Sequence, residues 1–126
     1  MRIEHIAIWV QDLEKMKTFY TTFFKATSSE LYHNPKTGFK SYFLGFDSGS
    51  RIELTTKQFL SPRISDSLGY AHLAMALGTK ADVDAYVTKF IKAGYPLVSG
   101  PRTTGDNYYE AVIQDPEGNL IELTTD

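Results

Sequence analysis

The sequence predicts an α+β protein built from two consecutive βαβββ modules. Three observations predict it. The pentapeptide Ile-Glu-Leu-Thr-Thr occurs twice, in "RIELTT" at 51–56 and in "LIELTT" at 120–125. A strand-like segment carrying one histidine opens each half, "RIEHIAIWV" at 2–10 and "YAHLAMAL" at 70–77. A stretch of helical periodicity follows each of these strands. Elements repeated in the same order at a near-constant offset mark an internal duplication.

The first strand is read from alternation around β-branched residues. In "QDLEKMKTFYTTFFKA" (11–26), Leu13, Met16, Tyr20, Phe23 and Phe24 fall at helical spacing, and Asp12 is placed as the N-cap. "TSSELYHN" reads as a strand, "PKTG" as a turn, "KSYFLGF" as a strand and "DSGS" as a second turn before "RIELTT". In the second half, "TKADVDAYVTKFIKAG" (79–94) is helical. Thr79 caps it, Val83, Tyr86, Val87, Phe90 and Ile91 share a face, and Gly94 stops it. "YPLVS" reads as a strand, "GPRTTGDN" as a loop, "YYEAVIQ" as a strand, "DPEG" as a turn and "NLIELTT" as the last strand. The modules are 1–56 and 70–126. The linker 57–69, with Pro62 and Gly69, joins them into one domain spanning 1–126.

Composition narrows the function classes. Hydrophobic residues are 42% and charged residues 22% of 126, enough for a core without staples. The net charge is -2, with 13 basic and 15 acidic residues well mixed and no basic stripe, which argues against nucleic acid. With no cysteine, any metal must be held by histidine and carboxylate. No apolar run spans a bilayer and no signal-peptide pattern opens the chain, so the expectation is a cytoplasmic protein without a membrane partner.

Alternation places His5 on one strand face with Ala7 and Trp9, and His72 with Ala74 and Ala76. The opposite faces carry Ile6, Ile8 and Val10, and Leu73, Met75 and Leu77, the rows that helices cover. Glu53 and Glu122 lie between aliphatic neighbours, so they too point away from the helices. A carboxylate on such a face is costly to bury unpaired. Two of them with two histidines are explained by one divalent cation per site, drawn from Ni, Co, Zn, Mn or Fe. Two positions of an octahedron stay free for water or a chelating small-molecule substrate, and the cation acts as a Lewis acid. A single His on a strand or a single Glu between aliphatics is commonly structural. Recurrence of both types at matched positions is what points to metal. His33 has no counterpart in the second half and is read as a loop or surface residue.

On "EHIAIWVQDLEKMKTFY", "RIELTT", "GYAHLAMAL" and "QDPEGNLIELTT", the chain resembles the vicinal oxygen chelate superfamily, of which glyoxalase I is the best-known member. The resemblance runs over essentially the whole chain, and its most specific segment is the DPEGN turn feeding the Glu122 strand. It implies a cupped, barrel-like mixed sheet with the helices outside, and metal ligands at His5, Glu53, His72 and Glu122. It implies a homodimer, with each site built within one chain or across two. It also implies a lyase or isomerase that enolises a small α-oxo or hemithioacetal substrate, with Glu122 as first candidate base and Glu53 as the symmetric alternative. Two positions depart from the glutathione-using enzymes: Trp9 stands where they carry Arg, and Lys57 where they often carry Asn. Both weigh against glutathione as the thiol. Trp9 is suited either to stacking on an aromatic or apolar substrate or to filling core. By the same resemblance, Arg102 in the loop 99–112 is a candidate for an anionic group, and Phe43, Tyr42, Tyr108 and Tyr109 are candidates to line the cup. Other functions share the scaffold: drug binding of the bleomycin-resistance type, whose members commonly lack the ligands, and metal-dependent dioxygenase or epimerase chemistry.

Overall fold

The computed structural model describes residues 1–126. The elements run β1 (His5–Trp9), α1 (Leu13–Phe24), β2 (Thr27–Ser28), β3 (Tyr32–His33), β4 (Lys40–Gly45), β5 (Arg51–Thr56), β6 (His72–Ala76), α2 (Lys80–Lys92), β7 (Leu97–Thr103), β8 (Tyr109–Gln114) and β9 (Leu120–Thr124). Two compact units result, Met1–Ile64 and Ser65–Asp126, each a βαβββ module. Residues 57–71 form neither helix nor strand. No helix is long and apolar enough to cross a membrane.

In the first unit the strand order is β1-β5-β4-β2, with β3 also paired to β4. In the second it is β6-β9-β8-β7. The first and last strands of each module pair in parallel, β1 with β5 and β6 with β9, and the remaining pairs are antiparallel. Each sheet is mixed and open, with its helix on one face. A parallel pair needs a crossover, and α1 and α2 begin those crossovers.

Asp12 caps α1 by accepting from the Lys15 N–H at 2.9 Å. Thr79 and Asp82 form a reciprocal capping box at α2. Beyond α2, Gly94 takes the left-handed conformation at φ 88° that ends a helix. The predicted face of α1 is buried and also takes in Phe19. It packs on β4 and β5, whose Leu44, Ile52 and Leu54 are buried. Val83, Val87 and Phe90 of α2 are buried with Ala111, Ile113, Ile121 and Leu123. Ile91, predicted on that face, is exposed.

Two segments differ from expectation. "TSSELYHN" is not one strand. Ser28 pairs with Leu44 and Tyr32 with Ser41, and the Ser29 hydroxyl accepts the Phe43 N–H at 2.9 Å where the strand breaks. The predicted loop "GPRTTGDN" is strand up to Thr103, with register shifts on either side of Ser99. Gly100 makes that path possible. Its φ is +80°, and a Cβ there would stand 2.6 Å from the Glu110 carbonyl oxygen.

The DPEGN turn sets the register of the last strand. Asp115 is buried, and its Oδ1 accepts from the Glu117 and Asn119 N–H groups, each at 2.9 Å. Its Oδ2 accepts from the Asn119 amide at 2.8 Å. Replacing it leaves backbone donors unpaired in a partly buried turn. Asp115→Ala is expected to lose about 2–3 kcal/mol of stability, read as the midpoint shift in urea unfolding.

Candidate metal and substrate face

The parallel pairings place histidine and glutamate on one face of each module in the same register. His5 lies opposite Arg51 and Ala7 opposite Glu53. His72 lies opposite Leu120 and Ala74 opposite Glu122. The two histidine strands also share one burial pattern: His and Ala exposed, the aliphatic residues between them half-buried. His5 Nε2 stands 3.7 Å from Glu53 Oε2, with side chains 38% and 16% exposed. His72 Nε2 stands 3.3 Å from Glu122 Oε2, with side chains 43% and 18% exposed.

The His72–Glu122 separation of 3.3 Å matches two ligands of one cation, and the 3.7 Å of His5–Glu53 is somewhat wider. Two ligand atoms on a divalent ion with bonds of about 2.1 Å stand about 3.0 Å apart at a right angle and about 3.4 Å apart at the tetrahedral angle. The first histidine adds a tautomer argument. His5 Nδ1 bonds the Glu4 carboxylate at 2.5 Å. A neutral imidazole donating there turns an unprotonated Nε2 toward the Glu53 oxygen. Two acceptors then face each other, an arrangement resolved either by a proton on Nε2 or by a cation between them. A carboxylate behind a histidine is also the usual way a metal-binding imidazole is oriented. No group of three or more His, Cys, Asp or Glu side chains is placed to hold a metal ion, and the four predicted ligands stand as one His–Glu pair in each module.

The surroundings of the two histidines differ. Glu4 is held by Arg51, whose Nε donates at 2.8 Å and whose terminal nitrogen also bonds it. The His5 bond, reinforced by Arg51, holds the Glu4 carboxyl below its usual range. The Arg51 guanidinium lies 4.3 Å from the Phe43 ring centre, and Phe43 meets His5 edge-on with centroids 5.2 Å apart. His72 has Ala71 before it and Leu120 opposite, and neither can hold an imidazole by charge or hydrogen bond.

The two glutamates differ as well. Burial pushes the Glu122 carboxyl above its ordinary value, and the negative charge of Glu110 adds to this. Glu110 stands diagonal to Glu122 across the β8–β9 pairing. It is itself paired to Arg102, whose Nη2 lies 3.4 Å from Glu110 Oε1. Alternation in "YYEAVIQ" puts Glu110 on the Glu122 face once the hairpin register is known; the sequence alone leaves that phase open.

Of the predicted substrate residues, Trp9 and Phe43 share the His5 face, and Arg102 shares the face of Glu122 through Glu110. Tyr109 does not join them. Its hydroxyl donates to Asp84 of α2 at 2.8 Å and Lys80 covers its ring, so it faces the helix. Tyr42 likewise turns to α1, donating to Glu14 at 2.6 Å. Tyr108 is exposed at the strand's start. His33 is exposed in β3, as its lack of a counterpart suggested.

Residues 2–123 match the family model of the Glyoxalase/Bleomycin resistance protein/Dioxygenase superfamily. The chain is 26% identical to the uncharacterized protein YqjT of Bacillus subtilis, over 96% of each chain. The trypanothione-dependent glyoxalase I of Leishmania major superposes with a TM-score of 0.80 at 26% identity, covering 99% of this chain and 86% of that one. A glyoxylase/bleomycin resistance protein/dioxygenase domain from Frankia sp. has the same fold, with a TM-score of 0.84 at 16% identity over 99% and 97% of the chains.

A raised carboxyl has a signed effect on stability. Above its pKa in the folded protein, the Glu122 charge costs more when folded than when unfolded. That penalty fades as pH falls through the folded value and is gone below the unfolded one, about 4.3. In chelator-stripped protein, Glu122→Gln is therefore expected to raise the melting temperature at pH 7. The gain should vanish by about pH 4. Melting curves of the two proteins across pH check this.

Proposed function

The chain belongs to the Glyoxalase/Bleomycin resistance protein/Dioxygenase superfamily, and we propose that it is a metal-dependent lyase or isomerase of the glyoxalase I kind. The observation that carries the reading is the repeated half-site: the same His–Glu register in both modules, with Nε2 to Oε2 distances of 3.7 and 3.3 Å. Each half-site supplies two ligands, so His5, Glu53, His72 and Glu122 together hold one divalent cation. Bound there, the cation supplies Lewis-acid polarisation of two neighbouring substrate oxygens. No member of the ligand set is a thiolate, which leaves Ni, Co, Zn, Mn and Fe as the metals that suit it.

The proton chemistry falls to glutamate. Glu122 has a carboxyl already biased toward accepting a proton, by burial first and by Glu110 second. It takes the proton from the carbon beside a substrate carbonyl and returns it to the adjacent carbon. Ala74, opposite it in register, leaves space for the substrate carbon to approach. Glu53, opposite Ala7, holds the matching place in the first module. Phe43 and Arg51 close off one side of His5, while Arg102 offers a guanidinium to an anionic end of the substrate. Trp9 replaces the arginine expected of glutathione-using enzymes, so the thiol or oxo partner is another one. The same reading takes the protein as a homodimer.

The test is a titration of chelator-stripped protein with Ni, Co, Zn, Mn and Fe(II), following melting temperature and isomerisation of methylglyoxal with several thiols. One cation per chain is expected to raise the melting temperature and switch on turnover. Glu122→Gln should lower kcat roughly 10²–10⁴-fold. Mixing His5→Ala with His72→Ala restores activity only where a centre draws its half-sites from two chains. No metal uptake at any of the five cations would overturn the reading.

A further inference from the structure

Several departures from internal symmetry gather at one corner of the first module. In the first module Trp9 lies opposite Thr55, and in the second Ala76 lies opposite Thr124. Two residues past each threonine the first module has Lys57 and the second Asp126. The Thr124 hydroxyl reaches the Tyr109 carbonyl at 3.5 Å, whereas the Thr55 hydroxyl is buried and has no hydrogen-bond partner. One corner of a duplicated face has therefore gained an indole and an ammonium, and it keeps an unused donor.

That corner is aromatic and open. Trp9 is 51% exposed and Tyr32 54% exposed. Phe39 stands between them, edge-on to Trp9 with centroids 6.2 Å apart and 6.0 Å from Tyr32. The Lys57 ammonium lies 4.8 Å from the centre of the Trp9 ring. The ion pairs of this unit engage Lys17 and Arg51, not Lys57. The ammonium sits over one face of the half-exposed indole, and the rest of its exposed surface can take another flat ring. A cation over the indole selects a ring that carries a negative group. A buried hydroxyl without a partner is a standing cost that an incoming oxygen relieves. Thr55 stands beside Trp9 on the same sheet face, so an oxygen of a ligand seated against the indole is directed toward its hydroxyl.

We propose that Trp9, Phe39, Tyr32, Lys57 and Thr55 form a subsite for a flat aromatic carboxylate. The ring stacks on the indole, the carboxylate meets Lys57, and an oxygen of the ligand accepts from Thr55. This deepens the proposed function by naming the substrate class of the His5 face, and as a statement about substrate it rests on that reading. As a statement about binding it stands on the first module alone.

The chain has one tryptophan, so the indole N–H gives one cross-peak that reports on the corner. The full-length protein, kept in chelator, is titrated with 2-naphthoate, with 2-naphthalenemethanol and with cyclohexanecarboxylate, by that cross-peak and by calorimetry. Naphthoate is expected to move the cross-peak saturably. The neutral alcohol and the non-aromatic acid should each bind about tenfold more weakly. Lys57→Gln, at an exposed position, should weaken naphthoate about tenfold and leave the alcohol unchanged. Trp9→Leu should weaken both aromatic ligands by calorimetry. Equal binding of all three ligands, no saturable shift, or indifference to Lys57→Gln would overturn the proposal. So would a cross-peak that moves with protein concentration alone, because a second copy of the chain would then cover the corner. Because metal is absent throughout, the outcomes separate: naphthoate binding without any metal uptake sinks the metal reading and leaves the subsite, and metal uptake without naphthoate binding does the reverse.

Discussion

The parallel pairing of the first and last strand within each module is the constraint on which everything else depends. A parallel pair cannot be closed by a tight turn, so the chain must leave the sheet and come back. It leaves through a helix and returns through a hairpin. The helix packs on the aliphatic face of the returning strands, leaving the aliphatic residues of the opening strand half-buried, and so decides which face stays open. The hairpin, through the Asp115 turn in the second module, decides where the returning strand stops. Helix and turn together bring a carboxylate beside the histidine of the opening strand, diagonally across the pair. Because both modules obey the same constraint, both produce the same half-site. A one-residue slip in either pairing would send Glu53 or Glu122 to the helix side and abolish it.

Much of this was legible in the residues. The alternation in "HIAIW" and "HLAMA" marked the faces correctly, because helix-facing aliphatics and open-face Ala and His differ sharply in polarity and size. Asp12 and Thr79 announced the helix starts through their own hydrogen-bonding chemistry. What escaped was phase. Tyr109 and Glu110 are neighbours, and nothing in "YYEAVIQ" says which of them faces the helix until the pairing with β9 is known. Tyr109 was assigned to the open face, and Asp84 of α2 holds it on the other. "TSSELYHN" carried strand-forming residues, but its break rests on one serine hydroxyl meeting a distant backbone N–H. "GPRT" carried two residues that usually end strands. Gly100 instead fits there because its missing side chain lets β8 come close. Glu4 and Arg51 were passed over because their importance lies in a contact across 47 positions of sequence.

The electrostatics of the open face run against stability. Glu122 sits in a place that disfavours its charge, next to Glu110, which disfavours it further. Arg102 offsets part of that repulsion from the exposed side. Ile121 and Leu123, the chain neighbours of Glu122, point to the opposite, helix-covered face and are fully buried there. A carboxylate held against its charged form while the opposite face is well packed suits the proton-accepting role proposed for Glu122.

Duplication has a further consequence in the contrast between the histidines. His5 has Glu4 and Phe43 against it, with Arg51 bracing both, while His72 has beside it only Glu122, with alanine before it and leucine opposite. A copied segment begins as two equivalent halves, and here one histidine carries a chain of mutually supporting neighbours that the other lacks. Loss of any link in that chain loosens the rest, whereas a change beside His72 has no such chain to disturb.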